Sequence, residues 1–94
     1  MVIVSFRDRG TEEFWRRGRG KSVPANLRRV ALRKLKLVSD AAAIEDLRVP
    51  PGNHLEELRG DRTGQHSIRI NRRYRVCFEW RNGNAHEVEI VDYH

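Results

Sequence analysis

The sequence contains only one cysteine, Cys77, and no long run of apolar residues. A single cysteine excludes an internal disulfide and is typical of proteins that work in a reducing compartment. No stretch approaches the roughly 20 apolar residues that a membrane-spanning helix requires. The first residues also lack the apolar core of a signal peptide. We therefore expect a cytoplasmic protein that makes no contact with a membrane.

Acidic residues are also in short supply. The chain has 13 Asp and Glu against 19 Lys and Arg, which gives 94 residues a formal charge of +6. Eleven of the basic residues fall between positions 7 and 36, whereas positions 85–94 hold none. This balance favours a polyanionic partner, with nucleic acid as the first candidate, over a merely soluble basic domain. A chain of this length has room for one hydrophobic core, so residues 1–94 are expected to form a single domain.

The N-terminal part predicts a short strand followed by a helix. Residues 2–6 are rich in β-branched side chains, and we expect them to add a strand to a sheet. Thr11 is the predicted cap of the helix, and Gly18 its predicted end. Phe14 and Trp15 should anchor this helix to the core.

The turn after this helix contains Gly20-Lys21-Ser22, which is similar to part of a phosphate-binding loop. That motif requires a glycine where this chain has Trp15, and it follows a strand rather than a helix. We therefore interpret the segment as a basic turn from which Lys21 can contact an RNA phosphate.

A second, longer helix is predicted from Pro24, which suits the first helical position, to about residues 39–43. Its apolar stripe recurs at helical spacing and should cover one side of the sheet. The stripe consists of Leu27, Val30, Ala31, Leu35 and Val38. Arg28, Arg29, Arg33, Lys34 and Lys36 are assigned to the other faces, either as a solvated surface or as a groove for RNA or an acidic protein.

The C-terminal half predicts a sheet. Residues 44–53 form a linker, because neither a helix nor a central strand tolerates Val49-Pro50-Pro51-Gly52. Strands are expected at residues 54–59, 65–71, 74–80 and 85–94. Asn82-Gly83 between two alternating runs is a strong signal for a two-residue hairpin turn.

Alternation with a period of two gives the later strands two different faces. The apolar face consists of Ile68, Ile70, Tyr74, Val76, Phe78, Trp80, Val88 and Ile90. The polar face consists of Ser67, Arg69, Arg75, Cys77, Glu79, Glu87, Glu89 and Tyr93. One face of a small antiparallel sheet often simply meets water. The position of Arg75 between strong apolar strand residues favours the alternative, a face that holds a phosphate backbone.

Three groups that can transfer protons end the chain: Asp92, Tyr93 and His94. An RNA strand supplies its own nucleophile, the 2′-hydroxyl. Its cleavage therefore needs a base, an acid for the leaving 5′-oxygen, and cations such as Arg59 and Arg75 for the crowded phosphorane. A histidine near its reference pKa of about 6.5 can serve as either acid or base. The four histidines and one cysteine show no metal-ligand spacing, so we predict no metal and no cofactor.

Several ordered segments resemble one known protein family. They are residues 58–64 (Leu-Arg-Gly-Asp-Arg-Thr-Gly), 67–70 (Ser-Ile-Arg-Ile), 74–80 (Tyr-Arg-Val-Cys-Phe-Glu-Trp) and 91–94 (Val-Asp-Tyr-His). Together they are similar to the HigB branch of the RelE/ParE superfamily of bacterial toxins, also called the plasmid maintenance system killer family. The resemblance implies an α+β fold of order β-α-α-β-β-β-β. Its small, curved, mostly antiparallel sheet would carry two N-terminal helices on one face.

The resemblance also implies a function. It points to a bacterial toxin that cuts mRNA in the A site of the 30S subunit of translating ribosomes, without a metal, and so inhibits translation and growth. A HigA-type helix-turn-helix antitoxin would hold the toxin inactive, and operator DNA would be bound only through the antitoxin.

Residue roles follow from the resemblance position by position. Asp92, Tyr93 and His94 match the terminal catalytic motif, and Arg75 matches a phosphate-stabilising arginine. Some relatives carry a catalytic histidine where this chain has Glu56. Either Glu56 acts as the base itself, or His54 substitutes from two residues earlier. The residues expected to bind RNA are Arg59, Arg62, Arg69 and Lys21.

Two other functions compete with this one. A ParE-like toxin would inhibit DNA gyrase without cutting RNA, and a small non-catalytic protein would only bind RNA or the ribosome. The terminal Tyr-His pair speaks against the ParE-like toxin, because a binding module needs no proton donors there. The net charge supports the non-catalytic protein as well as it supports the nuclease. Stacking aromatics would favour a non-catalytic RNA-binding protein, but Tyr74, Phe78 and Trp80 are expected in the core. We interpret His66 and His86 as ordinary sheet residues.

Overall fold

The chain folds into a four-stranded antiparallel sheet whose strands lie in sequence order. The computed structural model describes residues 2–92. The sheet consists of β1 (Glu56–Glu57), β2 (Gln65–Arg69), β3 (Tyr74–Arg81) and β4 (Asn84–Asp92). The helices α1 (Arg9–Arg17) and α2 (Arg28–Asp40) precede it. The predicted α+β class, with two N-terminal helices followed by a sheet, is confirmed.

Strands β3 and β4 form a long hairpin closed by a two-residue turn. Asn82 and Gly83 have φ angles of 53° and 78°, so both adopt the left-handed conformation that this turn requires. Arg81 and Asn84 are the first pair of the ladder. The predicted hairpin turn is confirmed.

A β-bulge interrupts this hairpin at Glu87. The register of β3 and β4 shifts there, and Glu87 has a φ of 53°. The extra residue lets Ala85 and Val88, three positions apart, both point into the core, where each is fully buried. Ser5 fixes the bulge, because its Oγ accepts a hydrogen bond from the Glu87 amide at 2.9 Å and donates one to the Glu87 carboxylate at 3.1 Å.

The N-terminal segment lies alongside β4 but is not a regular strand. Two isolated parallel bridges, from Ile3 to Ala85 and from Phe6 to Val88, join it to the sheet. These bridges flank the bulge, which breaks the continuous ladder that a regular strand would need. The strand predicted at residues 2–6 is therefore reduced to two bridges.

Helix α1 is capped by Asp8, and the prediction that Thr11 caps it is wrong. The Asp8 carboxylate accepts hydrogen bonds from the Thr11 amide at 3.0 Å and from the Thr11 hydroxyl at 2.7 Å. The Thr11 hydroxyl accepts in turn from the Ile90 amide at 3.2 Å, which ties α1 to β4. Gly18 ends the helix with a φ of 73°, as predicted.

Helix α2 begins later than predicted. Pro24 precedes a 3₁₀ turn, Ala25–Leu27, that leads into the helix. Ala31, Leu35 and Val38 are fully buried, so the apolar stripe is confirmed. Lys34 is also buried, at 6% exposure, which corrects its assignment to an outer face.

The helices cover one side of the sheet, as the alternation predicted. Phe14 and Leu35 pack with Ile68, Val76 and Phe78 in one hydrophobic core. The predicted linker forms two 3₁₀ turns, Ile44–Arg48 and Pro51–Asn53, and buries Leu47. Neither helix of the described residues combines the length and the apolar character that crossing a membrane requires.

Candidate active site

Arg75 is the anchored cation of the open side of the sheet. Its Nε donates a hydrogen bond to Ser67 Oγ at 2.8 Å, and its Nη2 donates one to the backbone carbonyl of His54 at 2.7 Å. Its Nη1 lies 3.8 Å from the Glu56 carboxylate. The residue is 9% exposed. Two well-separated hydrogen bonds fix the plane of the guanidinium before any ligand arrives.

Strand pairing shows which residues share the face of Arg75, because directly opposed residues of antiparallel strands point to the same side. Arg69 lies opposite Arg75. In the neighbouring row, Glu56 pairs with Ser67, Ser67 with Cys77, and Cys77 with Glu89. We call the side of the sheet that carries these residues the open face; it includes Glu56, Ser67, Arg69, Arg75, Cys77 and Glu89. The predicted polar grouping of Ser67, Arg69, Arg75, Cys77 and Glu89 is confirmed.

Glutamates hold two further arginines on the open face. Glu89 lies 3.2 Å from both Arg7 Nε and Arg62 Nη1. Arg62 also donates to the Gln65 side chain at 3.1 Å, and Glu79 lies 3.9 Å from Arg7. Partly exposed ion pairs of this kind contribute up to about 1 kcal/mol each. An anionic ligand of higher charge can therefore compete with the glutamates for these arginines.

Cys77 lies beneath these charged groups and is fully buried. Burial raises the pKa of its thiol to about 11. The thiol is thus protonated near neutral pH, and the thiolate is the nucleophilic form. Cys77 is a packing residue of the open face rather than a nucleophile.

Asp92 is placed differently from Arg75. It lies opposite Tyr74, which packs against the helix-side core, whereas Arg75 lies opposite Val91. The Asp92 carboxylate accepts two hydrogen bonds, each of 2.8 Å, from Nε and Nη2 of Arg73. The hydrogen bonds and charge of Asp92 raise the pKa of Arg73. The other two residues of the terminal motif, Tyr93 and His94, lie outside the described residues.

His54 and Glu56 occupy different environments. Strand β1 contains only Glu56 and Glu57, so the prediction of a strand over residues 54–59 is wrong at both ends. His54 is exposed and adopts a left-handed conformation with a φ of 44° at the end of the Pro51–Asn53 turn. Its backbone carbonyl binds Arg75. Glu56 is exposed beside Arg75.

The predicted RNA-binding residues are spread over the surface. Arg59 is exposed where the Gly60–Arg62 turn begins. Arg69 is half-buried, and its Nε donates to the Asn71 carbonyl at 3.1 Å. Lys21 lies in the exposed turn between α1 and α2, where it lines a cleft with Arg17, Arg19 and Arg28. Arg62 and Arg69 therefore share the open face with Arg75, and Lys21 belongs to the helical side.

Sequence reasoning missed Arg73 and Arg7. A signal for Arg73 was present: counting outward from Asn82-Gly83 in an ideal hairpin pairs position 73 with position 92. The bulge shifts that pairing by one residue, and the long arginine side chain still reaches Asp92. Arg7 carried no comparable signal, because its glutamate partners lie more than 70 positions away in the chain.

Comparisons with known proteins identify relatives along most of the chain. It is 39% identical over 85 residues to Toxin HigB-1 of Vibrio cholerae serotype O1, which covers 89% of this chain and 90% of the relative. A Haemophilus influenzae protein whose name states no function is 38% identical over 86 residues, or 90% of this chain and 85% of the relative. Endoribonuclease HigB of Proteus vulgaris is 30% identical over 93 residues, or 99% and 100% of the two chains.

The family comparison covers almost the full length. Residues 4–94 match the family described as RelE-like toxin of type II toxin–antitoxin system HigB. The three relatives align over much the same span, and the helices and sheet described above agree with the fold expected of such toxins. The resemblance first drawn from four short segments is thereby confirmed: the chain belongs to the HigB family of RelE-like toxins of type II toxin–antitoxin systems.

Proposed function

We propose that residues 1–94 act as one toxin domain that cuts mRNA on the translating ribosome, in the A site of the 30S subunit, in the bacterial cytoplasm. One relative is named an endoribonuclease. The observation that carries the proposal is the pair of hydrogen bonds that fixes the Arg75 guanidinium on the open face. A preorganised cation stabilises the negative charge that builds on the phosphate oxygens as the phosphorane forms.

Arg75 is assigned to the phosphate. Ser67 and the His54 carbonyl occupy Nε and Nη2, which leaves Nη1 directed to the Glu56 carboxylate at 3.8 Å. That distance is too long for a strong hydrogen bond. A scissile phosphate that replaces this weak contact gains a rigidly held donor, and the donor strengthens its interaction as the phosphorane forms.

Proton transfer is assigned to Glu56 and the terminal motif. In the reaction, the 2′-oxygen bonds to phosphorus and gives its proton to a base. The bond from phosphorus to the 5′-oxygen breaks, an acid protonates that oxygen, and a 2′,3′-cyclic phosphate remains. Exposed Glu56, adjacent to Arg75, is the assigned base, with the side chain of His54 as the alternative. Tyr93 and His94 are assigned to the leaving-group side, where Asp92, held by Arg73, orients the chain end.

The remaining predicted residues are assigned to the RNA backbone. Arg62 and Arg69 lie on the open face with Arg75, and Arg59 lies two residues beyond the end of β1, where the Gly60–Arg62 turn begins. Contacts of this kind position RNA without reading its sequence and weaken as salt rises. Lys21, on the helical side, is assigned to a phosphate outside the cleavage site.

Membership of a type II toxin–antitoxin family implies an antitoxin partner. We assign that role to a HigA-type helix-turn-helix protein that holds the toxin inactive and that alone contacts operator DNA. A membrane has no part in the proposal.

The decisive test compares Arg75→Ala with Arg29→Ala, which removes the same charge from the exposed surface of α2. On ribosomes programmed with a defined mRNA, Arg75→Ala should lower the single-turnover cleavage rate about 100-fold, because a preorganised donor is lost. Arg29→Ala should remain near the wild-type rate. His94→Ala and deletion of Tyr93 and His94 should also abolish cleavage while the proteins stay folded.

Gyrase supercoiling assays on the same proteins test the ParE-like alternative. Inhibited supercoiling with intact mRNA would refute the nuclease assignment. Binding to ribosomes without either activity would favour a non-catalytic RNA-binding protein.

A further inference from the structure

A buried polar pair joins α2 to the linker segment that immediately precedes His54. Lys34 on α2 is 6% exposed and Asn53 is fully buried. The Lys34 Nζ donates a hydrogen bond of 2.6 Å to the Asn53 side-chain oxygen. Burial, and the nearby charge of Arg33, lower the pKa of Lys34. Burying an ammonium group costs free energy that an apolar residue of similar size would not, so this lysine calls for a specific reason.

Asn53 uses its other side-chain atom to hold the linker. Its Nδ2 donates to the backbone carbonyls of Leu47 at 3.0 Å and Val49 at 3.3 Å. Its backbone amide donates to the Pro50 carbonyl at 2.9 Å. Through Lys34, this one side chain fastens the linker between the helices and the sheet to α2.

The residue that follows Asn53 supplies the carbonyl that binds Arg75. His54 is held in a left-handed conformation, with φ 44° and ψ 56°, and its amide donates to the Pro51 carbonyl at 3.1 Å. Its carbonyl accepts from Arg75 Nη2 at 2.7 Å. Because a single peptide unit joins the two residues, a displacement of Asn53 moves the carbonyl that orients the guanidinium.

We propose that Lys34 and Asn53 are positioning residues that act through the His54 carbonyl to set the orientation of Arg75. The proposal rests on the proposed function in one respect, that Arg75 contacts the reacting phosphate. Neither residue touches RNA. Their contribution is to place a donor correctly, and misplacing a catalytic group by about 1 Å can cost as much as 100-fold in rate.

The first experiment is a double-mutant cycle on single-turnover cleavage by the full-length chain on programmed ribosomes. Lys34→Met keeps the length of the side chain but removes the donor. It should lower the maximal rate about 10-fold and leave the ribosome concentration for half-maximal rate unchanged. In an Arg75→Ala background the same change should have no further effect, because the group it positions is gone. Lys36→Met, on the exposed surface of α2, is the matched control and should behave as wild type.

Distinct outcomes overturn distinct claims. If Lys34→Met lowers the rate equally with and without Arg75, or leaves it unchanged, the positioning role is refuted. If Arg75→Ala itself cleaves at the wild-type rate, the proposed function is refuted instead.

A second measurement does not depend on activity. In nitrogen-15 NMR spectra recorded at low temperature, the signal of the Arg75 Nη2 group, which donates to the His54 carbonyl, should shift and lose protection from exchange in Lys34→Met, and stay in place in Lys36→Met. If Lys34→Met does not fold, Asn53→Asp takes its place, since it retains an acceptor for Lys34 and loses the donors to Leu47 and Val49. An Arg75 signal that is unmoved in a folded variant would overturn the proposal.

Discussion

The two faces of the sheet carry different kinds of side chain, apolar on the helix side and charged or polar on the open face. The helix side is closed by side chains such as Phe14, Leu35 and Phe78, all fully buried. The open face carries Arg75 in a fixed position, and Arg7 and Arg62 in ion pairs with Glu89. Apolar burial contributes roughly 1.5 to 3 kcal/mol per large side chain, whereas exposed ion pairs contribute about 1 kcal/mol or less.

This difference separates stability from function within one small sheet. Nearly all of the apolar burial lies on the helix side, so loss of the ion pairs on the open face should leave the fold intact. The two faces should therefore respond differently to truncation: the helix side by unfolding, and the open face by altered RNA binding or cleavage.

The largest effect should come from Phe14→Ala, which empties the centre of the helix-side core. We expect a loss of about 3 to 5 kcal/mol in the free energy of unfolding, because both transfer free energy and a cavity are involved. Urea denaturation of the purified chain would measure it. Val4→Ala, at a residue that is 57% exposed, is the control and should change stability by less than about 1 kcal/mol. Equal losses in the two variants would contradict the assignment of stability to the helix-side core.

Much of the helix-side face could be predicted from the sequence, because periodicity reports burial directly. Spacings of three and four predicted the apolar stripe of α2, and alternation predicted the buried positions of β2 and β3. The Asn82-Gly83 turn fixed where β3 ends. Each of these signals is local, so each can be recognised without knowing which element packs against it.

The open face was harder to predict because its contacts link distant segments. Arg75 is oriented by a backbone carbonyl, that of His54, and a carbonyl carries no information about residue type. Lys34 was expected on an outer face of α2, because its partner Asn53 lies in a proline-rich linker 19 positions away.

A smaller effect on stability is expected from Cys77, whose thiol lies buried beneath the charged groups of the open face. The effect tests whether water reaches this thiol in the folded chain. Its pKa is raised to about 11 by burial from an ordinary value of 9.0. The unfolded chain therefore releases the thiol proton first, and stability that is fully present below pH 9 falls as the pH rises towards 11. By pH 10 the loss should be about 1 kcal/mol.

Denaturation at pH 8 and at pH 10 would measure the effect. In Cys77→Ala the decline between the two pH values should be smaller by that amount, since every other titrating group is shared. An identical decline in both proteins would mean that the thiol is accessible to water in the folded chain.

The smallest change in stability should come from Glu89→Gln, which removes the carboxylate between Arg7 and Arg62 and keeps its shape. Because these pairs are partly exposed, we expect a loss of no more than about 1 kcal/mol. The two arginines become available to phosphate, so RNA affinity should rise about 3-fold at 0.1 M salt. The affinity should also fall more steeply as salt is added.

Anisotropy of a labelled RNA with methylated 2′-hydroxyls, which cannot be cut, would measure this affinity between 50 and 200 mM salt, roughly the range over which phosphate contacts are lost. Glu45→Gln makes the same change in charge in the exposed Ile44–Arg48 turn. It should leave the salt dependence close to that of the wild type. A gain in affinity confined to Glu89→Gln would locate the RNA on the open face, because a general effect of net charge would appear in both variants. Equal gains in RNA affinity in the two variants would show that RNA binds through overall charge. The assignment of RNA binding to the open face would then be refuted.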